Sequence, residues 1–295
     1  MKEIREALVL KRFRFAILIC ALSAGAISLS AADLSQAEDL YKHTNYTGSL
    51  ALLDKSSTDA SVWFLAGRDY FMLGDFKKAA EHLERAVAAQ PANSEYVDWL
   101  GRAYGKRAET SNPLIAPGLA VKARQAFERS VRLDPKNSDA LSDLFDFYLN
   151  APGLLGGGYE KARVTADQIA AIDPPEGYFV KSKLAEKKKE YSTAEERLRQ
   201  AVAVAPHEVG HMIALAKLLA TEGRLRESDA VLAAAQDVNP NAPRIWFERA
   251  DILIKQKRDL QEARALLQKY MRAPITVDDP PKEEAMRLLR QVGGA

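Results

Sequence analysis

ASVWFLAGRDYFMLGDFKKAAEHLERAVAAQP, residues 60–91, is the stretch that decides the fold of this 295-residue chain. Trp63, Ala66, Gly67 and Tyr70 fall at i, i+3, i+4 and i+7, which is one face of a helix. Gly67 lets a neighbouring helix come close. Gly74 and Asp75 then make a turn, and Phe76, Ala79, Leu83 and Ala86 form the inward face of a second helix that ends at Pro91. Neither helix can bury its apolar stripe alone, so the pair must stack on another pair.

The pattern recurs in phase. Trp63, Val97, Leu141, Tyr178, Met212 and Trp246 each open a helical stretch, at spacings of 34, 44, 37, 34 and 34 residues. Pro91, Pro135, Pro174, Pro206, Pro240 and Pro274 close the units, and Ala79, Ala123, Ala162, Ala194, Ser228 and Ala263 mark a small-residue position between. A period in this range means helix pairs stacked along one dimension. Chance recurrence of Ala and Leu in a helical bundle does not keep three series in phase over six units.

Trp63, Ala66, Gly67, Tyr70, Ala79, Leu83, Ala86 and Pro91 resemble the tetratricopeptide repeat signature at its usual offsets. The units opening at Tyr178 and Met212 fit as well, through Ala194, Leu198, Ala201 and Pro206, and through Gly223, Leu232, Ala235 and Pro240. The last unit needs one extra residue in its turn before Leu260 and Ala263. The resemblance covers about residues 34–292 and implies an all-α fold, an α-solenoid (a tetratricopeptide superhelix), that binds protein. Full repeats are expected at about 60–91, 94–135, 138–174, 175–206, 209–240 and 243–274.

The ends depart from the pattern, as a solenoid requires. Residues 34–56 read as a partial repeat, with Leu40 and Tyr41 in its first helix and Tyr46, Leu50 and Leu53 in its second. Residues 280–292 read as a C-terminal capping helix, with Asp279 as its cap, Pro280 and Pro281 at its first positions and Ala285, Leu288, Leu289 and Val292 on one side. Two neighbouring units carry insertions at the same turn, 111–118 and 151–158. Their apolar Leu114, Ile115, Leu154 and Leu155 are expected to pack together on one edge.

Residues 1–32 have the layout of a secretory signal peptide: basic Lys11, Arg12 and Arg14, then an apolar run from Phe15 to Leu22 that continues in small residues through Leu29. Cleavage is expected after Ala32, with Ala26 the other fitting position. The alternative is an inner-membrane anchor over residues 13–29, which is shorter than the roughly 20 residues that span a bilayer and is diluted by Ser23, Gly25 and Ser28. Cys20 is the only cysteine and lies in this segment, so the remainder can form no disulfide and offers no thiolate. The whole chain carries 42 basic and 40 acidic residues. Residues 1–32 hold five of the first and two of the second, which leaves 37 against 38, a net charge of −1. A nucleic-acid binder keeps a positive excess, so nucleic acid is not the expected partner. No cofactor is expected.

His207-Glu208-Val209-Gly210-His211 spells the metalloprotease motif in which two histidines one helical turn apart hold zinc and the glutamate acts as base. Pro206 closes a repeat immediately before it, and no third ligand announces itself. A metal-dependent hydrolase is therefore the secondary reading, and the expected protein is not an enzyme. Gly153, Gly156, Gly157 and Gly158 read as a turn, because no Gly-Lys-Ser/Thr ending follows and no strand precedes. Lys187, Lys188 and Lys189 read as a solvated face at a helix end.

In the tetratricopeptide family the first helix of each pair lines the concave surface. By that resemblance, positions one and five after each opening residue face a groove, and the residues expected to bind a peptide or protein segment there are Phe64, Arg68, Arg102, Phe179, Lys183, Lys217 and Phe247. An acidic stretch at Asp98, Asp139, Asp143 and Asp146 lies between the two ends. The lysine and asparagine pattern of the chaperone-binding carboxylate clamp is missing. Together the readings give a protein-interaction scaffold of the cell envelope, periplasmic or secreted, with no stable membrane insertion once the signal is removed. Mass spectrometry of native material should find residues 1–32 absent; a chain beginning at Met1 would refute the cleavage.

Overall fold

The structure, a computed structural model, describes residues 33–53, 57–276 and 279–293, and among these every regular element is helical. The expected signal, 1–32, lies outside the described residues. Antiparallel pairs follow one another along the chain: α1 (33–42) with α2 (Tyr46–Leu52), α3 (Ala60–Met72) with α4 (Phe76–Ala89), α5 (Ser94–Thr110) with α6 (Ala116–Leu133), and α7 (Ser138–Asn150) with α8 (Tyr159–Ile172). The second half holds α9 (Pro174–Lys187) with α10 (Tyr191–Val204), α11 (Val209–Thr221) with α12 (Leu225–Val238), and α13 (Pro243–Lys255) with α14 (Leu260–Arg272); α15 (Lys282–Gly293) covers the end. This is an α-solenoid, built from pairs that touch chiefly their neighbours in sequence.

Local chemistry starts and stops the helices. Asp75, Asn93, Asn137 and Asp173 each accept a hydrogen bond from a backbone N–H two or three residues into the following helix. Gly74 and Gly223 take positive φ in the turns after α3 and α11, where a side chain would be strained. Pro174 differs from the other unit-closing prolines: it opens α9, and Asp173 alone joins α8 to α9, ending one and capping the other. Asp279 also differs from its expected role. Its carboxylate accepts from the Thr276 N–H at 2.9 Å, forming a turn ahead of α15.

The small-residue series sits where paired helices come closest. Ala79, Ala123, Ala162, Ala194, Ser228 and Ala263 are all fully buried. Gly67 lies so near α4 that an added Cβ would stand 2.6 Å from Leu83 Cγ, and one on Gly101 would stand 2.6 Å from the Phe127 ring. Each interface then closes over larger chains such as Leu83, Leu141, Leu198, Leu232 and Leu267. The chain also curls back on itself. A cleft of about 580 Å³ is walled by Thr44, Tyr46 and Met72 from the first pairs and by Ile275, Pro281 and Glu283 from the last, so the two ends of the superhelix face each other.

The short 3-10 turn Gly153–Leu155 of the second insertion touches α6, the helix that follows the first. The apolar side chains of the two insertions do not pack together as the sequence suggests: Leu114 is 94% and Leu154 87% exposed, Ile115 is exposed, and only Leu155 turns inward. The turns themselves are held by polar contacts, Asn112 Oδ1 accepting from the N–H groups of Leu114 and Ile115, so nothing forces the leucines together. No helix among the described residues is long and apolar enough to cross a membrane.

Gly177→Ala should lower the unfolding free energy, read from denaturant titration, by about 1 to 3 kcal/mol, because its Cβ would lie 2.4 Å from the Ala170 Cα and α8 and α9 would have to part. Gly210→Ala, which meets nothing within 4 Å in α11, should be neutral or stabilising by up to about 1 kcal/mol. Ala79→Leu and Ala194→Leu belong with the first case, at about 1 to 3 kcal/mol each.

Candidate functional site

The first helices of the pairs, α3, α5, α7, α9, α11 and α13, carry the expected groove residues, and the structure assigns those residues two different surroundings. Phe64 is buried, its ring stacked on Tyr96 at 4.3 Å between centroids and edge-on to Trp99. Phe247 is buried against Tyr270 at 5.3 Å. Both rings lie within helix-to-helix packing and not on open groove surface. Phe179 is half-buried beside the His211 ring, at 5.6 Å.

The cations are mostly paired across repeat boundaries. Arg102 Nε lies 3.1 Å from Asp98 Oδ2 in its own helix and donates a short hydrogen bond to Asp143 on α7. Lys183 on α9 donates to Asp146 on α7, and Lys217 on α11 meets Glu248 on α13 at 2.8 Å. Of the acidic stretch seen in the sequence, Asp98 and Asp143 are thus met by Arg102 and Asp146 by Lys183. Arg68 stands apart. Its guanidinium carbon lies 4.2 Å from the Tyr41 ring centroid, 5.0 Å from that of Trp99 and 5.3 Å from that of Phe64, and among the described residues it forms no ion pair. Its neighbour Asp69 is turned away to accept from Ser49 Oγ at 2.7 Å. Three aromatic faces therefore fix an arginine that forms no ion pair among the described residues, although its charge acts on the buried Asp69 carboxyl.

Beside this cluster a cleft of about 700 Å³ opens between Phe71, Phe127 and Phe147 on one side and Arg102, Asp143 and Asp146 on another, with Pro152 and Leu155 of the second insertion at its rim. Phe71 and Phe147 were not among the residues singled out in the sequence. Their signal was available, since Phe71 follows Arg68 by three residues and Phe147 follows Asp143 by four, one turn along the same face. A size of this order suits one or two side chains of a bound segment.

Two carboxyl groups near the cleft are held far above the ordinary 3.8. Asp98, 2% exposed, is raised to about 8, first by burial and then by the facing Asp143, with Arg102 opposing. Asp69 is raised to about 7 by burial, against the Ser49 hydrogen bond and the Arg68 charge. One oxygen of each carboxyl, Oδ1, lacks a hydrogen-bond partner. Both groups keep a proton in the native state that the unfolded chain releases near pH 4.

His207 and His211 do not share a helical face: His207 sits in the turn before α11, while His211 is buried within it, its Nε2 3.5 Å from Glu176 on α9. Among the described residues no group of three or more His, Cys, Asp or Glu is arranged to hold a metal ion. Gly153–Leu155 forms a 3-10 turn, with Gly156 left-handed at φ 94°.

Stacked antiparallel pairs with the small-residue contact of each pair buried define a helical-repeat scaffold. Family comparison names the repeat: tetratricopeptide repeat profiles match residues 60–93 and 213–275. The chain carries tetratricopeptide repeats. Among solved structures it resembles a tetratricopeptide repeat protein from Parabacteroides merdae (TM-score 0.58, 14% identity, 90% of this chain and 99% of that one). A thermophilic repeat protein from Thermus thermophilus matches with a TM-score of 0.54 at 20% identity, over 64% of this chain and 98% of its own. A chain from the APC/C hetero-tetramer Cut9–Hcn1 matches with a TM-score of 0.50 at 14% identity, over 87% of this chain and 48% of that one. At these identities the likeness is one of fold. No curated protein sequence matches the chain.

The raised carboxyls set a pH dependence with a definite sign. Native protons on Asp98 and Asp69 make stability fall as pH rises from about 4 to about 8. Burial also depresses the His82 pKa, which opposes this trend only where the imidazole would otherwise charge, below about pH 6.5. Between pH 6.5 and 8 the thermal midpoint should therefore fall. Asp98→Asn should flatten the slope by up to about 1.4 kcal/mol per pH unit. A slope identical to that of the native sequence would show that Asp98 does not titrate in this range.

Proposed function

We propose that the protein is a scaffold of the cell envelope that holds a peptide or protein segment along its concave groove, seating an acidic group of that segment on Arg68. The repeat fold supports a protein-interaction scaffold, and one protein of similar fold comes from a hetero-tetramer. The envelope location is supported by the signal-like sequence of residues 1–32. The observation that carries the reading is the unpaired guanidinium of Arg68 clamped on Tyr41, Trp99 and Phe64. A pre-positioned cation with rings beside it loses little rotamer freedom on meeting a carboxylate, and it offers two parallel N–H donors to one.

The other groove cations contribute differently. Arg102, Lys183 and Lys217 already face Asp143, Asp146 and Glu248, so an incoming carboxylate at those sites would have to displace an existing partner. Phe179 and the cleft between Phe71, Phe127 and Phe147 supply apolar surface on either side of the acidic stretch. The bound segment is thus acidic where it passes Arg68 and apolar where it enters the cleft.

The test is capture from an envelope extract by the immobilised protein, followed by titration with the segment identified. Arg68→Gln should weaken binding about tenfold or more, in line with loss of a charge-assisted pair. Lys217→Ala should change it less than threefold, and circular dichroism should show both variants folded. Equal binding by the native sequence and Arg68→Gln would refute the assignment.

A further inference from the structure

The two insertions present leucines to solvent on turns that are held in place. Leu114 and Leu154, 94% and 87% exposed, stand at one edge of the solenoid, where α6 touches the Gly153–Leu155 turn. Exposure of two large apolar side chains on adjacent repeats is not the result of loose loops. Asn112 fixes the backbone at Leu114 and Ile115 through two hydrogen bonds of 3.0 and 3.2 Å. Gly158 N–H is tied to the Tyr148 carbonyl at 2.8 Å and Gly157 N–H to that of Pro152 at 3.2 Å. Lys161 Nζ reaches the Gly156 carbonyl at 2.9 Å.

Basic side chains lie on both sides of the second insertion. Lys106 shares the cleft wall with Pro152 and Leu155, and Lys187 lies against Pro152 and Gly153 on the other side. Lys188 rests over the Tyr159 ring at 4.2 Å, and the run continues to Lys189. Lys187, Lys188 and Lys189 are all exposed, and among the described residues none of them forms an ion pair. Glu186 and Glu190 flank the run and Lys106 pairs with Glu109, which leaves Lys187, Lys188 and Lys189 as the cations without an ion pair among the described residues.

We infer that this edge docks peripherally on an anionic bilayer surface, with Leu114 and Leu154 entering the headgroup boundary and Lys187, Lys188 and Lys189 lying against lipid phosphates. The geometry favours a lipid surface over a protein. Isolated leucines on convex turns need no complementary pocket in a fluid layer, whereas a protein partner would have to supply one for each. Apolar tips and lysines act together here, since a few inserted side chains bind a membrane only weakly without electrostatic attraction. The concave groove stays open, because the edge that docks is formed by the turns between paired helices.

The full chain should co-sediment with vesicles of two parts phosphatidylcholine to one part phosphatidylglycerol, far less with phosphatidylcholine alone, and less as salt rises. Leu114→Ser with Leu154→Ser should weaken partitioning about tenfold at an unchanged thermal midpoint, since neither side chain is packed. In a second measurement, Leu154→Trp should gain fluorescence quenching by doxyl-labelled phosphatidylcholine in the mixed vesicles, above that of the three native tryptophans. Undiminished sedimentation of the double variant would show that Leu114 and Leu154 do not enter the bilayer and would overturn the proposal. Absence of extra quenching at position 154 would overturn it too, as would a proteinaceous partner whose capture depends on Leu114 and Leu154 while vesicles do not bind.

Discussion

Side chains too small to hold two helices apart set the spacing of this whole structure. Ala79, Ala123, Ala162, Ala194, Ser228 and Ala263 recur once per pair, and every one is fully buried. With Gly67 facing Leu83 and Gly101 facing Phe127, the partners approach until the larger residue fills the space that the missing Cβ leaves. Interiors packed to this density transmit a change of one methylene to the neighbours. Each pair then presents a fixed surface to the next, and the solenoid's curvature follows from that repeated contact.

Charge is organised along the same axis. Arg102 to Asp143, Lys183 to Asp146 and Lys217 to Glu248 each join the first helix of one pair to the first helix of another. Such part-buried pairs fix the relative placement of neighbouring repeats more than they add to net stability, because desolvation offsets much of the attraction. Their effect on recognition is subtractive. They leave the groove nearly neutral over its middle, and Arg68, held by rings instead of carboxylates, becomes the exception. Burial is what chiefly raises the pKa of Asp98, the facing Asp143 adds to the rise, and Arg102 opposes it.

Two surfaces follow, one from the period and one from the departures from it. The groove arises from the regular positions of the first helices, and its character depends on which side chains the next pair covers. The edge arises where the chain departs from its period, at 111–118 and 151–158, and there the leucines find no partner within the molecule. Loops carried on a rigid frame are where proteins commonly place contacts with other molecules.

The sequence by itself determined the all-helical solenoid, because that depends on side-chain size and periodicity over a few neighbouring turns. Trp63 to Tyr70, the alanine series and Gly74 state their roles locally. Local pattern also misled in places: Pro174 reads as a stop but starts α9, since its fixed φ suits a first helical turn as well as a chain break. What only the tertiary structure decided involves residues in different units. Phe64 and Phe247 share the helical register of groove residues, yet Tyr96 and Tyr270 cover them from other helices. Lys217 reads as a free cation until Glu248, 31 residues away, is brought to 2.8 Å. The meeting of Tyr46 with Pro281 across one cleft depends on small rotations summed over every pair. No local pattern of residues encodes such a sum, so the ends of the superhelix could be placed only by assembling the whole.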